Sequence, residues 1–280
     1  MFLHNLNYKL KLSVSSLCIL MFVCVENSLA QNTNDTTTLY TINRLSSSLM
    51  VGVGFTTNAL GLKILDNRSE VTTKDLTTLN TGDVPKFERW VLNQNSERFK
   101  YWHNQSDVIM RTSLILPAVF LAHKRIKKQW LDYSLMYLKA QALSANFYTL
   151  GVPQFYRKIR PVVYYDNLSL EERTGVRLSN SFYSGHVSVT ATSLYFMASV
   201  YHDLYPERSQ VLPLSIASLT TGLVAIGRVK AGKHFVTDVL TGAIIGGFIG
   251  YFTPHFHSKK KDKTVSLDVG YLSFNMSLKF

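Results

Sequence analysis

The sequence contains almost no cysteine and comparatively little acidic charge. Its two cysteines, Cys18 and Cys24, both fall in an apolar run near the amino terminus, so a chain that loses this run has neither a disulfide nor thiol chemistry. Charged residues make up 17% of the 280 residues and hydrophobic residues 46%. This composition excludes a disordered chain, a collagen and a small scaffold held by disulfides.

The basic residues outnumber the acidic ones by 30 to 18, and they occur in short clusters. Two clusters, at 124–128 and 259–261, lie directly beside apolar stretches. Such placement is typical of segments that flank a membrane and not of a groove that binds nucleic acid. We therefore expect a bilayer as a partner and no nucleic acid.

The amino end resembles an export signal. Lys9 and Lys11 precede an apolar run at 12–25, which is too short to span a bilayer, and small residues lead up to Ala30. We predict a signal peptide at 1–30 that is cleaved after Ala30, and the alternative is an uncleaved anchor helix. The polar residues 31–40 would then be a flexible lead-in outside the cytoplasm.

The remaining chain is divided into long stretches without Lys, Arg, Asp or Glu. These stretches are 45–62, 140–156, 178–202, 209–227 and 239–258, with a weaker apolar segment at 107–122. A bilayer core needs roughly 20 helical residues, so several of them can span it. We predict an all-α, membrane-embedded bundle of about five to six long helices, with 45–62 lying at the interface or re-entering. Gly242, Gly246 and Gly250 share one helix face and favour close helix contact.

Two polar regions flank this predicted core. After Asp83-Val84-Pro85, the apolar residues Phe87, Trp90, Val91 and Phe99 predict an amphipathic helix on the membrane surface. The tail after Lys263 alternates loosely and is expected to be irregular or strand-like. The predicted organisation is a signal peptide at 1–30, a lead-in at 31–107, a helical core at 108–258 and a basic tail at 259–280.

Three short clusters carry residues suited to phosphate chemistry, each at the end of a predicted helix. They are Arg157-Lys158-Ile159-Arg160-Pro161, Ser184-Gly185-His186, and Gly227-Arg228 followed by His234 and Asp238. Phosphoryl transfer needs fixed cations, one nucleophile and one proton carrier, and these clusters contain such a set. His and Asp four residues apart on a helix also share a face, which suits an imidazole oriented by a carboxylate.

Together the clusters resemble the three motifs of the type 2 phosphatidic acid phosphatase superfamily, which includes vanadium haloperoxidases and bacterial acid phosphatases. The motifs are Lys-x6-Arg-Pro, Pro-Ser-Gly-His and Ser-Arg-x5-His-x3-Asp, and the resemblance covers about 114–254. It implies that His234 is the nucleophile, that Asp238 orients its ring, and that His186 protonates the leaving group and then activates water.

The resemblance also implies a set of phosphate-binding groups. Arg160 and Arg228 would hold the nonbridging oxygens, and Ser184 and the amide of Gly185 would add donors at a helix start. It implies neither a metal nor another cofactor.

Four positions depart from the motifs. Pro153 stands in place of the motif Lys, Tyr183 in place of the Pro before Ser184, and Gly227 in place of the Ser before Arg228, while Val236 occupies a position that is often Pro. The change at Pro153 removes one phosphate-binding cation, unless Arg157, one helical turn before Arg160, supplies it. An inactive relative that binds lipid phosphates therefore stays an alternative.

The resemblance, the export signal and the predicted spans together imply a metal-independent phosphatase in the inner membrane of a bacterial cell envelope. Its site would face the periplasm and act on a lipid-linked phosphate monoester or diphosphate, such as lipid A, undecaprenyl diphosphate or a phospholipid. A soluble, nonspecific acid phosphatase or haloperoxidase is a second alternative.

Overall fold

The computed structural model describes residues 38–68 and 70–259, together with the backbone of residues 265–270 and 273–278 in the tail. The predicted signal peptide at 1–30 lies outside these residues. The tail segments form two antiparallel strands, β1 (Val265–Gly270) and β2 (Ser273–Leu278), with Val265 opposite Leu278.

The described chain is dominated by six long helices, which confirms the predicted all-α bundle. They are α1 (Arg44–Arg68), α2 (Phe99–Ile115), α3 (Trp130–Leu150), α4 (Gly185–Leu204), α5 (Val211–Lys230) and α6 (Val236–His257). Three short α-helices (Thr73–Thr77, Lys124–Lys127 and Leu170–Arg173) and six 3-10 segments (Thr81–Asp83, Lys86–Asn93, Ser96–Arg98, Leu116–Ala122, Val152–Gln154 and Pro161–Tyr164) connect them.

Within the part of the chain that the structure describes, four segments are long and apolar enough to cross a membrane, so the protein is membrane-integrated. They are Arg44–Asn67, Ser96–Ala122, Val211–Lys230 and Val236–His257. The other two long helices, α3 and α4, bury many polar side chains in the bundle, among them Ser144 and Asn146 on α3 and Thr190 and Thr192 on α4. These buried polar residues make α3 and α4 less apolar than a helix exposed to lipid.

Successive long helices run in opposite directions and define two faces of the bundle. At one end, here called the site face, α1, α3 and α5 finish and α2, α4 and α6 begin. At the opposite face, the amide of Thr41 donates to the carbonyl of His257 at 2.9 Å, and the amide of Lys259 donates to Leu39 at 2.9 Å. The segment before α1 therefore lies beside the end of α6, away from the site face.

Helices α4 and α6 pack backbone against backbone, as the spacing of Gly242, Gly246 and Gly250 predicts. A Cβ added at Gly246 would lie 2.0 Å from the carbonyl oxygen of Ser188, and one at Gly250 would lie 2.3 Å from that of Thr192. No side chain fits in this space. The contact fixes the start of α4 against the start of α6, where two of the three motifs lie.

The run at 45–62 is part of a single 25-residue helix, α1, and does not re-enter. It packs along α3, where Asn146 donates from Nδ2 to the carbonyl of Gly54 at 2.7 Å. Thr57 adds a side-chain hydrogen bond of 2.9 Å to the same asparagine. Interior polar contacts of this kind hold a helix to the bundle within lipid, where the hydrophobic effect between helices is weak.

The amphipathic helix predicted after Pro85 is a 3-10 segment, Lys86–Asn93. With three residues per turn, side chains at i and i+3 share a face. Phe87 and Trp90 accordingly point outward, with exposed fractions of 64% and 51%, while Glu88 and Val91 are buried. An α-helix would place Val91 beside Phe87 and would not bury Glu88, whose carboxylate binds the start of α6.

Candidate active site

The loop between α5 and α6 holds His234, which is almost completely buried. Its Nδ1 lies 2.7 Å from the carbonyl oxygen of Ser181. Because a carbonyl only accepts, Nδ1 carries the proton, and Nε2 of the neutral ring keeps its lone pair. Burial, followed by the charges of Arg160 and Arg228, holds the pKa of His234 well below its ordinary value. The ring is therefore neutral near pH 7, as a nucleophile requires.

Asp238 supports this loop without a direct hydrogen bond to the imidazole. Its Oδ2 lies 4.0 Å from Nδ1 of His234, beyond hydrogen-bond distance. The same oxygen accepts from Oγ of Ser181 at 2.6 Å and from the amide of Phe235 at 2.8 Å. The expected carboxylate–imidazole contact is thus replaced by an indirect one, in which Asp238 fixes Ser181 and the carbonyl of Ser181 fixes the ring.

The guanidinium groups of Arg160, which is partly buried, and Arg228, which is buried, lie within electrostatic range of His234 and of each other. Arg160 donates from Nη2 to Asn180 at 3.1 Å, and Arg228 donates from Nη1 to Asp107 at 3.1 Å. The Nε of each arginine is buried and has no hydrogen-bond partner among the described residues. Buried N–H groups are nearly always satisfied, so these two are available as donors to an anion.

The start of α4 brings Ser184, Gly185 and His186 to the same cluster. The amide of Ser184 donates to the carbonyl of Asp238 at 3.0 Å, while its hydroxyl is buried without a partner in the described chain. His186 lies within electrostatic range of His234, and its Nε2 is 3.3 Å from Oδ1 of Asp107. Free amides at the start of a 20-residue helix favour an anion there.

Arg157 is not brought into this cluster. Its guanidinium is half exposed and pairs with Asp75 at 3.0 Å. Lys233, next to His234, is the nearer candidate for the cation missing at Pro153. Burial, and then the charges of Arg160 and Arg228, lower the pKa of Lys233 to about 8, so both arginines act on its ammonium group electrostatically.

Two of the departures from the motifs follow from packing. A Cβ at Gly227 would lie 2.8 Å from Cβ of Ser106, so α5 approaches α2 too closely for a serine there. Tyr183 is buried, and its ring packs edge-on against Tyr148, with ring centroids 5.7 Å apart. Apolar packing of Tyr183 replaces the rigidity of a proline before Ser184.

Four residues at the site are not evident from the sequence. His103 and Asp107 contact Arg228, Ser181 contacts His234, and Glu88 contacts Lys158 and Thr237. Asp107 marked the edge of a weak apolar segment, and an ionisable residue next to a membrane span is itself a signal of function. Glu88 gave no comparable signal, because a carboxylate in a polar stretch is ordinarily solvated.

Comparison with known protein families agrees with this geometry. Residues 129–262 match the model of the PAP2 superfamily, a range that takes in α3 to α6 and all the motif residues. No curated protein and no solved structure gives a significant match to the chain. The match confirms the resemblance to the type 2 phosphatidic acid phosphatase superfamily and supports a phosphatase in general.

Proposed function

We propose that this protein hydrolyses a lipid-linked phosphate monoester or diphosphate through a phosphohistidine on His234. The observation that carries the proposal is the tautomer of His234 and the positive charge around it. Its Nδ1–H is held by a backbone carbonyl, which leaves the lone pair of Nε2, and the ring lies in the field of Arg160 and Arg228, whose buried Nε–H groups have no partner among the described residues.

The reaction has two steps in this arrangement. Nε2 of His234 attacks phosphorus, the bond to the leaving oxygen breaks, and His186 donates a proton to that oxygen. His186 then takes a proton from water, which attacks the phosphohistidine, releases inorganic phosphate and regenerates His234. Arg160 and Arg228 stabilise the negative charge on the nonbridging oxygens throughout, with Ser184 and the amide of Gly185 as further donors.

The membrane-integrated bundle favours a substrate that is itself in the bilayer. We propose the phosphates of lipid A or undecaprenyl diphosphate first, with phosphatidate and phosphatidylglycerol phosphate as further candidates, because the predicted export signal fits a bacterial envelope protein. The helices expose large apolar side chains that suit lipid contact, such as Leu219 on α5 and Ile244 on α6.

The test is phosphate release from each of these lipids by purified wild type and by His234→Ala. We expect a loss of at least about a thousandfold in kcat, because the substitution removes the proposed nucleophile. Equal rates would refute catalysis by His234. Binding of a lipid phosphate without turnover by the wild type would favour the inactive relative, and partition into buffer instead of detergent would favour a soluble acid phosphatase.

We propose further that the site faces the periplasm. The support is the short helical segment at 124–128 on the opposite face, which carries four basic residues, and the cluster beginning at Lys259. If α1 crosses the bilayer once, residues 38–43 then lie in the cytoplasm. Cleavage of an export signal after Ala30 would put them outside, so that prediction and this orientation cannot both hold.

Labelling single cysteines with a membrane-impermeant maleimide decides the orientation. In a Cys18→Ser, Cys24→Ser background, Asp166→Cys reports the site face and Glu207→Cys the opposite face, because both positions are exposed. Labelling of intact spheroplasts at Asp166→Cys alone is the expected result. The reverse pattern would overturn the periplasmic orientation and agree with a cleaved signal.

A further inference from the structure

We propose that Lys158 and Glu88 are positioning residues for His234, acting through Asp238 and Ser181 as one buried ionic network. The inference rests on the proposed function, since it concerns how the nucleophile of that reaction is held. Neither residue belongs to the positions at which the chain matches the three motifs.

Lys158 lies at the centre of the network. Its Nζ donates to Oδ1 of Asp238 at 2.7 Å, to Oγ1 of Thr237 at 3.0 Å and to Oε2 of Glu88 at 3.3 Å. All three donors of the ammonium group are therefore used. The same nitrogen lies 4.6 Å from the centroid of the Phe235 ring, and Phe235 directly follows His234 in the chain.

Glu88 fixes the first turn of α6 from the other side. Its Oε1 accepts from the amide of Thr237 at 2.9 Å and from the Thr237 hydroxyl at 2.8 Å. Its side chain is 1% exposed, and that of Asp238 is 0% exposed. Two buried carboxylates need compensation, and Lys158 is the cation that both of them contact.

The network reaches the nucleophile through Ser181. Asp238, to which Lys158 donates, accepts the 2.6 Å hydrogen bond from the Ser181 hydroxyl, and the carbonyl of Ser181 accepts from Nδ1 of His234 at 2.7 Å. The backbone of Lys158 also pairs with this segment, because its carbonyl accepts from the amide of Ser181 at 2.8 Å. Side chain and backbone thus set the position of the same serine.

The charges of the network also act on the imidazole of His234. The groups that face His234 are Arg160 from the segment before α4, His186 from α4, Arg228 from α5, Asp238 from α6 and the adjoining Lys233. One lysine and two carboxylates give the network a formal charge of −1, opposite to that of the arginines. Removing Lys158 makes the surroundings of His234 more negative, and removing the charge of Glu88 makes them more positive.

The experiment measures the pH profile of kcat/KM for Lys158→Met, for Glu88→Gln and for the double variant, in full-length protein. We expect kcat to fall at least tenfold in each single variant with KM within about twofold, because the nucleophile is misplaced and the binding groups remain. The acid limb should move to higher pH in Lys158→Met and to lower pH in Glu88→Gln, each by on the order of one unit, and should return toward wild type in the double variant.

Shifts of opposite sign distinguish positioning and charge from a purely structural role, which would lower the yield of folded protein without moving the profile in two directions. Asp66→Asn is the matched control, since it removes a carboxylate from the two-bond ion pair with Arg177 on the site face. Unshifted acid limbs in variants that fold as well as the control overturn the proposal. If Lys158→Met does not fold, the near-isosteric Glu88→Gln carries the test alone.

The two proposals fail in distinguishable ways. Equal activity of wild type and His234→Ala overturns the proposed function. Activity that depends on His234 but keeps its acid limb in Glu88→Gln and Lys158→Met overturns this inference only. The pH dependence of vanadate binding, measured by calorimetry on the same variants, reports the His234 environment without turnover and is expected to show the same opposed shifts.

Discussion

Oδ1 of Asp107 on α2 lies 3.3 Å from Nε2 of His186 on α4. The same oxygen lies 3.1 Å from Nη1 of Arg228 on α5. One carboxylate therefore joins the proposed proton carrier to a proposed phosphate-binding arginine, and it links three helices at the site face. A helix outside the three motifs completes the site in this way.

Replacing Asp107 by Asn removes the charge and keeps the shape. We expect kcat to fall by about ten- to a hundredfold, because burial lowers the pKa of His186 and Asp107 is the neighbour that raises it, and because Arg228 loses its ion pair. Steady-state kinetics on lipid phosphate measure the change. Asp166→Asn is the control, since its carboxylate also pairs with an arginine but is 92% exposed. Equal kinetics of both variants would exclude a role for Asp107 in proton transfer.

Lys233 and Arg157 are the two candidates for the cation that Pro153 removes. The pKa of Lys233 is lowered to about 8, so its charge is present below that pH and is lost as the pH rises through it. We expect kcat/KM to decline above about pH 8 in wild type and to extend to higher pH in Lys233→Arg, whose side chain stays charged. The pH profiles of both proteins check this.

The comparison with Arg157 separates the two candidates. Lys233→Met should raise KM or lower kcat/KM about tenfold, the value of one charge-assisted hydrogen bond, and the loss should exceed that of Arg157→Met. A larger loss in Arg157→Met would instead identify Arg157 as the cation that replaces the motif lysine.

Gly246 tests the contact between α4 and α6. An alanine there would place its Cβ 2.0 Å from the Ser188 carbonyl oxygen and force the helices apart. We expect a loss of about 3 kcal/mol of stability and a large drop in activity, because the starts of both helices carry site residues. Gly222→Ala is the matched control, since its added Cβ would meet no other element of the described chain within 4 Å. Thermal inactivation in detergent compares the two variants, and equal midpoints would contradict the close packing.

Much of the fold was predictable because its signals are local. Stretches without charge mark the long helices, and glycines four residues apart mark a face of close contact, since both depend only on helix geometry and the thickness of a bilayer. The 3-10 segment at Lys86–Asn93 was not predictable in the same way. The apolar pattern there fits an α-helix, but the bonds from Thr237 to Glu88 bury a carboxylate that the pattern would leave in water.

The sequence by itself determined the motif residues His186, Arg160, Arg228 and His234, their order along the chain and the family to which they point, because residue type and spacing survive without coordinates. Only the tertiary structure decided which groups hold the nucleophile. Asp238 is four residues from His234 and was expected to contact its ring. The carbonyl of Ser181 contacts the ring instead, Asp238 holds the Ser181 hydroxyl, and Lys158 pairs with both Asp238 and Glu88. Contacts between residues so distant in sequence form only when the helices pack. Buried charges need partners, and the packing determines which groups are close enough to serve.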